Sequence, residues 1–141
     1  IPPAEWVDAE YPFVMSTGRR LWHYHTRTQT KNAIGLETVF PEELFEINPD
    51  DAEKMDIQSG DMVQVSSRRG SIQVKAWVTN RSPQGVCWCS FHFEDACANV
   101  LTNNAFDPVT ETAEYKVSAK KKKKISSGQP WESAIKRQAR P

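Results

Sequence analysis

Asn48-Pro49-Asp50-Asp51-Ala52-Glu53-Lys54-Met55, then Ser59-Gly60-Asp61, then Met62-Val63-Gln64-Val65-Ser66-Ser67-Arg68-Arg69-Gly70-Ser71-Ile72-Gln73-Val74-Lys75-Ala76-Trp77-Val78 is the stretch on which the fold turns. Asn48 is placed to cap a helix, because its side-chain oxygen can accept an otherwise orphaned backbone N–H. Pro49 then takes the first helical position, where its missing N–H costs nothing, and Asp50 and Asp51 face the positive end of the helix dipole. Ser59-Gly60-Asp61 must end this helix, so it is short. Beyond it, apolar and polar residues alternate over 62–67 and again over 71–78. That pattern predicts a β-hairpin around Arg68-Arg69-Gly70, with glycine supplying the turn and Arg68 idle at the tip.

Working outward, Tyr11-Pro12-Phe13-Val14-Met15-Ser16-Thr17 is an apolar run that meets Gly18, the form of a buried strand entering a turn. Val86-Cys87-Trp88-Cys89-Ser90-Phe91 reads as a further buried strand, residues 95–101 as one or two helical turns, and residues 114–118 as a last short strand. Many short strands with one or two short helices predict a mainly β fold closed into a compact barrel.

The chain has 141 residues, of which 38% are hydrophobic, enough for one domain with its own core. No apolar run is long enough for a membrane-spanning helix, and Ile1-Pro2-Pro3 lacks the order of a signal peptide. Beginning on Ile1 suggests a piece of a larger protein. The 18 basic residues balance the 18 acidic ones, yet residues 120–141 hold eight cations against Glu132 alone, which leaves 1–119 acidic. The division suggests a barrel domain over 1–119 and a basic, disordered tail over 120–141. Lys120 to Lys124 have no aromatic platform beside them, so specific nucleic-acid binding is not expected. Cys87, Cys89 and Cys97 are too few for a disulfide framework and suggest a reducing, cytoplasmic setting. With His92 their spacing matches no common zinc module, and two of them lie in the strand pattern as small apolar residues.

Four of the ten basic residues of 1–119 fall within the fifteen positions from Thr17 to Lys31. A glycine after a strand lets backbone N–H groups approach an anion, arginine offers forked donors, and threonine hydroxyls fill remaining acceptor sites. In an extended backbone His23, His25 and Arg27 would share one side, and Tyr24, Thr26 and Thr28 the other. A phosphate or pyrophosphate suits these donors; a polar surface loop with stray histidines suits the composition equally. There is no dinucleotide-binding glycine fingerprint, P-loop or paired metal-binding histidine motif.

The ordered set Tyr11-Pro12-Phe13, Thr17-Gly18-Arg19, His23-Tyr24-His25-Thr26-Arg27-Thr28, Ile47-Asn48-Pro49-Asp50-Asp51-Ala52, Gly60-Asp61 through Gly70, Ala98-Asn99-Val100-Leu101-Thr102-Asn103, Asp107-Pro108-Val109-Thr110 and Glu114-Tyr115-Lys116 resembles the C-terminal molybdopterin-dinucleotide-binding domain of molybdenum and tungsten oxidoreductases. Within that group it most resembles formate dehydrogenase catalytic subunits. The resemblance implies a double-psi β-barrel that closes over a molybdopterin guanine dinucleotide carrying molybdenum or tungsten. By position it implies that Thr17, Gly18, Arg19, His23, His25, Thr26, Arg27 and Thr28 contact phosphates and pterin. Phe91 and His92 would lie near the pterin, Asn99 would make a polar contact, and Tyr115 and Lys116 would complete the site.

The family's metal-ligating cysteine or selenocysteine, its catalytic histidine and arginine, and its iron–sulfur ligands belong to upstream domains. No catalytic or metal-ligating residue is therefore expected in this chain. The implied partners are the remaining domains of the same large subunit and electron-transfer subunits. Two other readings are a separate barrel subunit of a complex like formylmethanofuran dehydrogenase, and a module that binds nucleic acid or an acidic partner through its basic tail.

Overall fold

Six strands close into a barrel in the computed structural model, which describes residues 2–127. The strands are β1 (Phe13–Gly18), β2 (Leu44–Ile47), β3 (Met62–Ser66), β4 (Ser71–Val78), β5 (Val86–Ser90) and β6 (Ser118–Ser126). Around the barrel they run β1-β5-β2-β4-β3-β6, with β1 parallel to β5, β2 parallel to β4, and the other pairs antiparallel. This is a double-psi β-barrel, as the resemblance implied. Two short helices, α1 (Ile34–Val39) and α2 (Pro49–Lys54), lie outside it.

Local chemistry accounts for the elements read from the sequence. Asn48 Oδ1 accepts the Asp50 N–H at 2.9 Å and starts α2, and Asp51 turns inward to accept the Gly85 N–H at 2.6 Å. The hairpin forms with Ser66 opposite Ser71, and Val63, Val65, Ile72, Val74 and Ala76 point inward. They meet Met15, Phe45, Ile47, Cys87, Cys89 and Leu101 in one continuous core. Cys87 and Cys89 are fully buried there, and burial pushes the Cys87 thiol up to about 11.

Several expectations need correction. Gly70 has no left-handed backbone; a Cβ there would lie 2.6 Å from Val100 Cγ1, so its small size lets the hairpin sit close to the 3-10 turn Ala98–Val100. β2 and α1 were not foreseen. β2 is buried throughout, with Phe45 and Ile47 in the barrel core, and Glu46 on its covered outer face breaks the apolar run that would have marked it.

The last strand is β6, not residues 114–118: residues 114–117 form the loop leading into it, and Ser118 is its first residue. Lys120 to Lys124 are therefore barrel rather than tail, and the barrel extends past the expected boundary at Ala119. Pairing on both edges imposes the alternation: Lys120 and Lys122 are buried while Lys121 and Lys123 are exposed. The rest of the expected tail, residues 128–141, lies outside the described residues. Among the described residues, no helix is long and apolar enough to cross a membrane.

Candidate functional site

Parallel pairing of β1 with β5 sets Gly18 beside Ser90, so Arg19-Arg20 and Phe91-His92 leave the barrel together at one end. The antiparallel β6 begins opposite Met15, which carries the preceding residues along the same strand end. There the Thr17 hydroxyl donates to the Tyr115 carbonyl at 2.8 Å, and the Lys116 ammonium donates to the Thr17 carbonyl. Topology thus assembles Thr17, Gly18, Arg19, Phe91, His92, Tyr115 and Lys116 from three distant stretches of chain.

The two adjacent arginines have different surroundings. Arg19 is exposed, its guanidinium 6.0 Å from the Phe91 ring, and among the described residues it has no carboxylate partner. Arg20 is buried: Nη1 donates to Glu46 Oε1 at 3.1 Å, Nη2 donates to the Leu44 carbonyl at 2.7 Å, and Glu43 lies 3.6 Å away. Its plane packs 4.6 Å from the Trp88 ring and 4.7 Å from that of Phe40. Glu43 also accepts from the Ser90 hydroxyl, and from the N–H groups of Ser90 and Leu44 at 3.1 Å each. Burial raises the Glu43 carboxyl above its ordinary range although these donors and Arg20 act against that. This cluster escaped sequence reading; the one signal for it was a strand-end Arg-Arg pair, of which only one member can face solvent.

Gly18 has a packing role here. A Cβ on it would fall 2.9 Å from Trp88 Cζ2, so its small size lets the indole lie under the strand end and support Arg20.

The loop after Arg20 is not extended. His25 and Arg27 adopt left-handed conformations at φ 43 and 64, and Arg27 N–H donates to the Tyr24 carbonyl at 3.0 Å, closing a turn. With no strand beside it, this segment bonds its backbone through turns and the His92 side chain, so the expected two-sided alternation is absent.

His23 is buried, with Nε2 2.6 Å from the Phe40 carbonyl and Nδ1 3.3 Å from the Thr30 hydroxyl, and its ring packs edge-on to Phe93. Both ring nitrogens are committed within the protein, so His23 ties the loop to the Phe40 backbone and Thr30. His25, Thr26 and Thr28 are exposed, the two hydroxyls 3.1 Å apart, and the Arg27 guanidinium lies 4.1 Å from the Phe93 ring.

His92 is also buried and doubly bonded, to Arg20 N–H at 2.8 Å and to the His25 carbonyl, so both its ring nitrogens are engaged within the protein. Asn99 is exposed on the 3-10 turn beside the hairpin, and no hydrogen bond joins its side chain to the Arg19 loop.

Arg68 is not idle either. Glu5 accepts from Arg68 at 2.6 Å, from Arg69 at 2.7 Å and from the Ala119 N–H at 3.2 Å, and Asp8 pairs with Arg68 as well. The N-terminal residues thereby strap the hairpin to β6. A groove of about 470 Å³ opens beside the strap, but its charged lining residues are Asp107 and Glu114, so it does not suit an anion.

Residues 13–119 match the molybdopterin dinucleotide binding domain family. The chain is 46% identical over 123 residues to F420-dependent formate dehydrogenase 1 subunit alpha of Methanococcus maripaludis, a match that spans 87% of this chain and 18% of that protein. It is 46% identical over 122 residues to F420-dependent formate dehydrogenase subunit alpha of Methanocaldococcus jannaschii, spanning 86% of this chain and 18% of that protein. A protein named nitrate reductase from Symbiobacterium thermophilum is 44% identical over 121 residues, spanning 83% of this chain and 16% of its own.

Among solved structures, acetylene hydratase from Pelobacter acetylenicus superposes with TM-score 0.71 at 15% identity, covering 82% of this chain and 19% of that one, which is a likeness of fold. The chain therefore spans less than a fifth of the length of these relatives. From the barrel topology, the ordered segments and the match across residues 13–119, the chain belongs to the molybdopterin dinucleotide-binding domain family.

Proposed function

We propose that this domain holds a molybdopterin guanine dinucleotide at the barrel end bounded by Arg19, the turn 24–28, Phe91 and the 115–116 segment, within a formate dehydrogenase-like oxidoreductase. The observation that carries the reading is the exposed Arg19 guanidinium, which has no carboxylate partner among the described residues, next to a buried Arg20 whose two terminal nitrogens are held by Glu46, the Leu44 carbonyl and Glu43. An anionic ligand is the partner such a cation lacks, and forked donors suit phosphate oxygens.

Thr26 and Thr28 add exposed hydroxyls, Phe91 and the half-exposed Tyr115 add ring faces, and the Lys116 ammonium adds positive charge near Thr17 while tying the loop to β1. Gly18, His23 and His92 contribute by shaping this surface, and Asn99 is the least supported member of the set. When bound, the cofactor supplies the redox-active molybdenum or tungsten at which formate would be oxidised to carbon dioxide. This chain would bind and orient the dinucleotide, while the remaining domains of a large subunit supply metal ligands and any iron–sulfur cluster. Electron-transfer subunits and a cytoplasmic location complete the reading.

The alternative of polyanion binding through a lysine-rich tail loses support, because Lys120 to Lys124 lie in a barrel strand with alternate side chains buried.

Titrating the 141-residue chain with guanosine diphosphate under NMR observation tests the proposal. Salt-sensitive shifts are expected at Gly18, Arg19, residues 24–28, Phe91 and Tyr115, and they should vanish in Arg19→Ala. Shifts centred on Lys121 and Lys123, or none at millimolar nucleotide, would overturn it.

A further inference from the structure

His92 has two hydrogen bonds that together admit a single protonation state. The Arg20 backbone N–H, which can only donate, lies 2.8 Å from Nε2, and the His25 carbonyl, which can only accept, lies against Nδ1. The ring must therefore be neutral, with its proton on Nδ1 and a lone pair on Nε2. Burial, together with the nearby His23, Arg20 and Arg19, lowers the His92 pKa, although the bond to the His25 carbonyl acts against that.

The two bonded residues sit at different points of one excursion. Arg20 lies where the chain leaves β1, held by Glu43 and Glu46, and His25 lies in the outer turn with a left-handed backbone. A non-glycine residue in that region costs free energy, so something must hold it there.

We infer that His92 is a positioning residue, a tautomer-fixed clamp that sets the turn 24–28 relative to the anchored end of β1. The inference rests on the reading of that turn as part of the dinucleotide site, and it replaces direct cofactor contact as the role of His92. It makes no use of ligand chemistry by the ring. Donation from Nδ1 aims the His25 carbonyl inward, which leaves Thr26, Thr28 and the exposed edge of the turn facing out. Acceptance at Nε2 satisfies a buried N–H that would otherwise be left unpaired. Nδ1 therefore governs the turn, and Nε2 governs the strand end.

Two amide substitutions separate these roles. In His92→Asn the side-chain NH2 falls where Nδ1 was and can still donate to His25, but no acceptor reaches Arg20. In His92→Gln the side-chain oxygen can reach the Arg20 N–H, but no donor remains for His25. Hydrogen exchange at the Arg27 and Lys31 amides, which close the turn, reads the clamp without any ligand. Losing one hydrogen bond should speed their exchange about tenfold in His92→Gln. In His92→Asn, exchange at these amides should stay near wild type. Imidazole nitrogen shifts in the wild-type chain should report an Nδ1-protonated neutral ring.

Guanosine diphosphate should then bind His92→Gln about tenfold more weakly than His92→Asn. Equal exchange in the two variants, or an Nε2-protonated ring, would overturn the clamp. Intact exchange differences with no nucleotide binding to any form, wild type included, would instead count against the proposed ligand while the clamp stood.

Discussion

Two basic segments of this chain, residues 19–31 and residues 120–124, meet opposite fates. β6 pairs with β1 on one edge and β3 on the other, so its backbone dictates which side chains turn inward, lysine or not. Lys120 is fully buried with its ammonium on the Leu101 carbonyl, and Lys122 lies 3.7 Å from the Phe13 ring with no hydrogen-bond partner. Lys121 and Lys124 pair outside with Glu10, Asp56 and Asp61. The Arg19 loop has no neighbouring strand. Arg20 and His23 are tied inward, the Arg27 guanidinium packs 4.1 Å from the Phe93 ring, and Arg19 stays at the surface with no carboxylate partner among the described residues. Two-sided pairing commits charge to the fold, and its absence leaves charge available to a ligand.

The strongest way to break this contrast lies inside the loop. Arg20→Ala leaves Glu43 buried without a cation and Glu46 with only Arg81 at 3.8 Å, and removing one partner of a buried ion pair costs about 3–5 kcal/mol. Urea denaturation should show that loss, whereas Arg19→Ala should leave the midpoint close to wild type. Similar midpoints for both variants would erase the distinction between the two arginines.

Lys122→Met tests the strand in the opposite direction. Replacing an unpartnered buried ammonium with an apolar side chain of similar length should stabilise the chain by on the order of 1 kcal/mol, since the lost contact with the Phe13 ring offsets part of the gain. A lower urea midpoint would mean that the cation–ring contact dominates.

Lys120 sharpens the comparison through pH. Burial lowers its pKa from 10.5 to about 8, so between those values the unfolded chain binds more protons than the folded one. Stability contributed by this residue should therefore rise as pH climbs from about 8 towards 10.5, with the burial penalty fully present below that window. Comparing urea midpoints of wild type and Lys120→Met across the window isolates the slope; parallel profiles would refute the assignment.

The smallest effect is expected at Arg68. Its pairs with Glu5 and Asp8 are exposed to solvent and screened, so Arg68→Ala should lower the melting temperature only slightly and leave nucleotide binding unchanged.

The legible parts of the fold were those where local chemistry and burial agree. Asn48-Pro49 and the alternation of β3 and β4 state their structure in a few residues, and Val86 to Ser90 reads as a buried strand because cysteine packs there as an apolar residue. β6 was illegible because inward lysines invert the usual pattern, and only pairing from both sides makes them tolerable. β2 was hidden by Glu46, whose partner Arg20 lies 26 residues earlier. The site was legible as an ordered set of segments, several of which the topology brings to one end of the barrel. The roles of His23 and His92 were not, because a histidine serving a ligand and one serving the backbone look alike in sequence. Their partners, Phe40, Arg20 and His25, separate the two cases.

The contrast is tested most directly by one paired measurement on the proposed dinucleotide-loaded oxidoreductase: guanine dinucleotide retained per folded chain in Arg19→Ala and in Lys120→Met, with melting temperature read on the same samples. A lost charge-assisted hydrogen bond, about 1.5–3 kcal/mol, should cut retention at least tenfold in Arg19→Ala with melting temperature nearly unchanged. Lys120→Met should shift melting temperature and keep its dinucleotide. Full retention in Arg19→Ala, or equal loss in both variants, would contradict the account.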